Sequence, residues 1–370
     1  MPCGPRALLR VRWSHGLRPW LRPRALSSRS GPERVNVRCG AAGHVSVDLF
    51  NGAHDARNRN ALVIHLPAFP AANDAVAPLP PFLEHLPVAQ INYRWGGLAS
   101  RVLHWPTPVH DTAFAYDWLF ANLAPPRDTG RDMFVYGSQL GASLAASLAL
   151  TETHAHASFG IRGLVTYNGI YNWTMFLPDH RINKSPTIKH TPVPASRAAE
   201  KLKGRLSALF HRPADLFDPY ASPSLFFHSP GLLAPRVFAA STDDAVWDED
   251  EQAVMAELKP PRAVSNVFPP RKSSLRIPET LLLYHDGIDQ SAASGNSLRA
   301  QARELAVWMR RGIVESEKKL ATYDHDDANE ESVVEDTEAK LRVQFGDPGP
   351  LADKAEAMAL EWMRERSDAM

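Results

Sequence analysis

The sequence predicts an α/β protein with a mostly parallel central sheet, an antiparallel hairpin at its N-terminal end, helices on both faces and an inserted cap. Three observations predict it. Apolar runs of strand length alternate with helical patterns from residue 61 onward, the grammar of parallel strands joined by right-handed crossovers. The stretch from Asp132 to Leu150 has the form of a buried strand, a sharp glycine-flanked turn and a helix of small residues. Between residues 172 and 235 the alternation stops, which marks an insertion.

Composition narrows the possibilities. A chain of 370 residues can bury a large core. Its 44% hydrophobic and 22% charged content is that of a soluble globular protein. The formal net charge of zero supplies no global field for nucleic acid or membrane. No apolar run approaches the ~20 residues that span a bilayer. Cys3 and Cys39 make neither a disulfide framework nor a zinc motif, and 31 prolines argue for loops and against a helical bundle.

Residues 1–30 stand apart. Arg6, Arg10, Arg12, Arg18, Arg22, Arg24 and Arg29 are interleaved with apolar residues, the first acid is Glu33, and Ser27 and Ser28 close the segment. This is the composition of a mitochondrial transit peptide, which directs a chain to the matrix; the bland alternative is a basic tail. Val35–Cys39 and Val45–Leu49 alternate apolar and polar residues around Gly40 and Gly43, a β-hairpin with one solvated face. Ala61–Leu66 and Val88–Tyr93 are buried strands, and His110–Asn122 is an amphipathic helix with Phe114, Trp118 and Leu119 on one side. Met133–Tyr136 is the next strand, followed by the helix from Ala142; Ile161–Tyr167 is another.

The core is expected over 31–171 and 236–370, and the cap over 172–235. In the cap, Ala198, Ala199, Leu202, Leu206 and Leu209 recur at helical spacing, which predicts one helix with a basic outer face carrying Lys201, Lys203, Arg205 and Arg212. That face is either a solvated helix surface or the contact for an acidic partner, an RNA–protein assembly or an anionic membrane surface. Pro235–Ala240 fits strand or loop. Asp243–Glu251 is an acidic solvated stretch, and 259–279 is a surface connection. Glu279–His285 is a buried strand, and Asn296–Arg311 a helix with Leu298, Ala302, Leu305 and Met309 inward. The acidic run 315–338 is expected to be a mobile loop. Leu341–Phe345 is the last strand and Leu351–Arg364 the last helix.

The chemistry turns on Gly137-Ser138-Gln139-Leu140-Gly141. A G-x-S-x-G turn presents a central serine at a strained strand-to-helix elbow. Here the centre is Gln139 and the serine is one position early. With Val63–Pro67, Ile91–Arg94, the Trp105–Leu119 segment and Asp218–Pro223 in that order, the chain resembles the α/β-hydrolase fold, and within it the hormone-sensitive-lipase-like (fold-3) carboxylesterases. The resemblance implies a nucleophile at 139, an oxyanion hole from the backbone after His65 and at Leu140, an acid after the strand ending at His285, and a histidine after the last strand.

Those parts do not match. A carboxamide is not a nucleophile, and removing the serine alone costs about 10⁶ in turnover in well-studied serine hydrolases. The backbone after His65 belongs to Leu66, Pro67 and Ala68, and proline has no N–H. Gly346–Pro350 holds no histidine; His325 precedes the last strand. Asp286 and Asp289 both qualify as the acid, Asp289 better by spacing. Gly137 and Gly141 remain because the turn needs small residues whatever it presents. Ser138 is the alternative nucleophile, and Ser143 a packing residue. His65 is expected to hydrogen-bond to a neighbouring loop. His154-Ala-His156 lacks a third ligand, and neither a dinucleotide fingerprint nor a P-loop is present, so neither metal nor cofactor is expected. The expected function is that of a mitochondrial pseudoenzyme, a binding or assembly protein. The alternative is an esterase of small acyl esters using Ser138, and a third reading is a receptor for a small apolar ligand.

Overall fold

The computed structural model describes residues 31–55, 60–70, 76–96, 103–126, 130–184, 194–238, 259–286, 295–321, 337–349 and 352–367. All but Gly31 fall in one compact unit, Pro32–Met370. The strands are β1 (Glu33–Arg38), β2 (His44–Phe50), β3 (Leu62–Leu66), β4 (Val88–Asn92), β5 (Arg131–Ser138), β6 (Phe159–Tyr167), β7 (Glu279–Leu283) and β8 (Val343–Gly346). They form one sheet in the order β1-β2-β4-β3-β5-β6-β7-β8. β1 and β2 pair antiparallel, as do β2 and β4; every later pairing is parallel. That order, with the hairpin at one edge, is the α/β-hydrolase fold that the motifs imply.

The helices are α1 (Thr107–Leu123), α2 (Leu140–Glu152), α3 (Arg197–Lys203), α4 (Leu206–Leu209), α5 (Leu298–Ala321) and α6 (Ala352–Glu365). Strand side chains alternate between two faces, so each central strand feeds two cores. Leu62, Ile64 and Leu66 of β3 and Met133 and Val135 of β5 join the larger core with α1, α2, α5 and the cap. Val63, Phe134 and Tyr136 point the other way, toward Ala355, Ala359, Trp362 and Met363 of α6. Every residue of β3 is buried, which explains its unbroken apolar run. In α2 all residues from Leu140 to Leu150 are buried, and its alanines let it lie close against β5 and β6.

Several elements differ from expectation. α1 begins at Thr107 and turns Pro108, Asp111, Thr112, Ala115, Tyr116, Leu119 and Leu123 inward. Phe114 is 41% exposed. The helix is rotated because buried Asp111 is gripped by Arg94, with Nη2 to Oδ1 at 2.6 Å and Nε to Oδ2 at 2.9 Å. The cap helix is two short helices interrupted at Gly204, although Ala199, Leu202, Leu206 and Leu209 are buried as expected. They cover an aromatic cluster in which Trp95, Trp105, Trp173 and Phe210 stand 5.2–6.1 Å apart.

The acidic run is in part helical. α5 continues past Arg311 to Ala321, with Ile313 buried and an Arg311–Glu315 ion pair one turn apart at 2.7 Å. Residues 337–342 are helical, and the last strand starts at Val343 instead of Leu341. Residues 322–336, with His325, lie outside the described residues, as do 239–258 and residues 1–30. β8 is the outermost strand opposite the hairpin. Arg310 of α5 donates to the Val343 carbonyl from Nε and Nη2, at 2.9 and 2.7 Å.

Candidate functional site

The elbow forms where β5 runs into α2. Gln139 sits between them at φ 50°, ψ −116°, a region that non-glycine residues rarely occupy. The flanking glycines permit the crossing. A Cβ on Gly137 would lie 2.5 Å from the Gly141 carbonyl oxygen and 2.8 Å from the Ala145 Cβ. A Cβ on Gly141 would lie 2.8 Å from the Leu66 carbonyl carbon and on top of the Leu66 and Pro67 carbonyl oxygens. α2 therefore crosses directly over the end of β3, as the spacing of the two glycines implies.

The donors at this turn are engaged by the protein itself. The Gln139 N–H donates to the Tyr167 carbonyl at 3.0 Å. The Leu140 N–H, which stands where an elbow offers an oxyanion donor, donates to the Ala68 carbonyl at 3.2 Å. Pro67 has no N–H, and its carbonyl accepts from the Tyr93 hydroxyl at 2.8 Å. The Gln139 side chain has no hydrogen-bond partner among the described residues.

Ser138 is the last residue of β5, two residues after Tyr136 and on the same face of the sheet, away from α2. Ser143 is fully buried and donates to the Ile170 carbonyl at 2.5 Å, so it fastens α2 to the segment after β6. His65 also faces away from α2, 2% exposed and stacked on Tyr136 at 5.5 Å. Its partner is a strand residue of β4, not a loop: Nδ1 meets Gln90 Oε1 at 2.9 Å. Gln90 Nε2 donates to the Ala77 carbonyl and to Asn92 Oδ1, which leaves Oε1 to accept from the ring. Burial pushes the His65 pKa down to about 4, so the imidazole is neutral near pH 7.

At the ends of β7 and β8 the geometry differs from the sequence reading. Asp286 caps α5, its oxygens accepting the N–H groups of Leu298 at 2.7 Å and Arg299 at 3.0 Å. Asp289 lies outside the described residues. Past β8 the chain places Asp347 where a histidine was sought, and Asp347 Oδ1 is 3.1 Å from Nδ1 of His285, which follows β7. A histidine–carboxylate pair is thus present with its members exchanged along the chain. Sequence reasoning missed it by searching each strand end for one residue type. The usable signal was that residues following two adjacent parallel strands become neighbours, as Leu283 and Gly346 are in register. Asp347 Oδ1 also accepts the Gly349 N–H at 2.8 Å, and the His285 N–H donates to Asn168 Oδ1 at 2.7 Å, so the pair is built into two turns.

On the cap, Lys201, Lys203, Arg205 and Arg212 are all exposed. Two of them have partners within the chain: the Arg205 guanidinium lies 5.3 Å from the Phe69 ring, and Arg212 is 3.4 Å from Asp215. His154 and His156 are exposed, with His154 Nδ1 2.9 Å from Ser274 Oγ. No group of three metal-ligating side chains occurs among the described residues. No helix among them is long and apolar enough to cross a membrane.

No protein-family model matches the sequence, and no curated protein matches it. Solved structures do resemble it. An esterase from Pyrobaculum calidifontis is 14% identical over 90% of this chain and 83% of its own, with a TM-score of 0.44. Carboxyl esterase 2 from the mycorrhizal fungus Tuber melanosporum is 12% identical over 91% and 87%, at 0.46. A hormone-sensitive lipase from a metagenome library is 13% identical over 92% and 87%, at 0.44. The fold rests on the strand order and the elbow, independently of these alignments.

Proposed function

We propose that this α/β-hydrolase-fold chain does not hydrolyse esters and serves as a binding or assembly protein of the mitochondrial matrix. The observation that carries the reading is the Leu140 N–H spent on the Ala68 carbonyl beneath Gln139. A hydrolase elbow needs that donor free when charge develops on the substrate oxygen. The neighbouring strand end offers Pro67 in place of a second donor. Nucleophile and oxyanion donors fail together, and each is needed for acyl transfer.

The test uses a fluorophosphonate probe and short p-nitrophenyl esters on the full chain. The expected result is no labelling and no turnover, and equally none in Gln139→Ser, because a new hydroxyl would still lack its donors. Substantial esterase activity in that single variant would overturn the reading. One observation favours the alternative, hydrolysis by Ser138: the His285–Asp347 pair could supply a base. Labelling that Ser138→Ala abolishes would establish it. Against it stands the place of Ser138, two residues after Tyr136 on the face of β5 turned toward α6.

For the location, the arginine-rich, acid-free start supports import. N-terminal mapping of protein recovered from protease-treated mitochondria tests this. The exposed cap residues Lys201 and Lys203 are the first candidates for an acidic partner, whether an RNA–protein assembly or an anionic membrane surface. A native pulldown from matrix, with Lys201→Glu/Lys203→Glu as control, tests that contact.

A further inference from the structure

A cavity of about 700 Å³ opens between the segment Met175–Ile182, at the start of the cap, and the N-terminal half of α5. It shares no residue with the elbow. Its size is that of a small-molecule site. Met175, Ile182, Val307 and Trp308 supply an apolar lining. Trp308 is held in place by the His228 ring stacked at 4.7 Å, and the Arg311 guanidinium lies 5.4 Å from its ring.

Among the described lining residues the charges do not cancel. Arg181, Arg299 and Arg303 line it against a single carboxylate among the described residues, Glu304. Glu304 is already engaged inside the protein: its side chain is 8% exposed, both oxygens accept from Asn172 Nδ2 at 3.2 and 3.0 Å, and His228 Nε2 is 3.3 Å away. None of the three guanidiniums has a carboxylate partner among the described residues. Arginines on a solvated helix face would carry no further implication. Here a second feature points inward. His180 lines the cavity and is only 4% exposed. Its Nδ1 accepts the Ile182 N–H at 3.3 Å, which in a neutral ring puts the proton on Nε2. That donor has no hydrogen-bond partner among the described residues.

We propose that this cavity binds a small organic anion, a carboxylate or phosphate on an apolar body, with Arg181, Arg299 and Arg303 around the charged group and Met175, Val307 and Trp308 around the body. Guanidinium forks match both kinds of oxyanion, and one neutral imidazole donor adds a hydrogen bond without adding charge. The site is independent of the reading of the elbow, because binding here requires no nucleophile and no oxyanion hole.

Isothermal titration of the full chain tests it with four probes sharing one body: 4-phenylbutyrate, 4-phenylbutyl phosphate, 4-phenylbutanol and 4-phenylbutylamine. At least one anion is expected to bind, about tenfold or more tighter than the alcohol, and the amine not to bind. The tighter anion identifies the headgroup. Arg299→Gln/Arg303→Gln, on exposed helix positions, is expected to weaken that anion by about tenfold or more, with Lys354→Gln on the exposed face of α6 unchanged. If the double variant does not fold, Arg303→Gln alone is held to an expected loss of about fivefold. The proposal is overturned if neither anion binds at about 5 mM, if the alcohol binds as tightly as the anions, or if the arginine variants bind unchanged.

Discussion

Gln139→Gly separates a strained residue that catalysis needs from one that the turn merely tolerates. Gln139 holds φ 50°, ψ −116°, a conformation costing a non-glycine residue about 1–3 kcal/mol. Glycine adopts it freely, but loses more backbone entropy on folding, about 0.5–1 kcal/mol. Little else is lost. The Gln139 side chain has no hydrogen-bond partner among the described residues, and glycine is tolerated at the residue preceding a helix. The balance is a gain of about 1 kcal/mol, or a rise in Tm of about 2 °C. Gln139→Ala keeps the Cβ and so keeps the strain; it is expected to stay within about 0.5 kcal/mol of the parent. Calorimetric scans of the three proteins under identical conditions read the difference. If Gln139→Gly melts at or below the parent temperature, the strain is not stored at this residue, or its side chain does something that the contacts do not reveal.

Two further outcomes follow from the same region. Gly141→Ala adds a helix-favouring residue worth about 1 kcal/mol, but its Cβ falls on the Leu66 and Pro67 carbonyls, which are backbone and cannot swing aside. A net loss of about 1–2 kcal/mol is expected in urea unfolding, and a gain would mean that α2 does not cross β3 this closely. His65 and His180 are both held down to about 4 by burial, so the folded state refuses protons that the unfolded chain accepts below pH 6.5. Their contribution is fully present above pH 6.5 and is lost as pH falls toward 4, at up to about 1.4 kcal/mol per pH unit for each. Unfolding midpoints of His65→Asn should decline less steeply across that window, and an unaltered slope would remove His65 from the account.

Much of this fold could be read from periodicity. Leu62–Leu66 and Val88–Asn92 are strands buried on both faces, and short apolar runs of that length are typical of central strands. The elbow was legible because Gly137 and Gly141 are set by sterics that survive whatever residue stands between them. What failed was inference from composition. The acids after Arg311 suggested a solvated loop, yet glutamate and lysine are also good helix formers, and α5 continues through Glu315 and Glu317 to Ala321, while Asp324 to Glu331 lie outside the described residues. Apolar spacing put Phe114, Trp118 and Leu119 on one side of α1, while in the structure Phe114 is 41% exposed and Asp111 is buried against Arg94. No local pattern could reveal that the Ala68 carbonyl takes the Leu140 N–H, since that bond joins residues far apart in sequence. The exchange of His285 and Asp347 was hidden for another reason: it required comparing two strand ends at once.

The arginine clamped on the last strand has a consequence for how the molecule behaves in a crowd. An outermost strand exposes carbonyls that can template a foreign strand, the first step toward fibrils or swapped assemblies. β8 is four residues long, and α5 reaches over to occupy the oxygen of its first residue. An intruding chain would have to evict a doubly bonded guanidinium to begin pairing there. The first carbonyl of that margin is thereby occupied without spending any residue of the elbow or the cap.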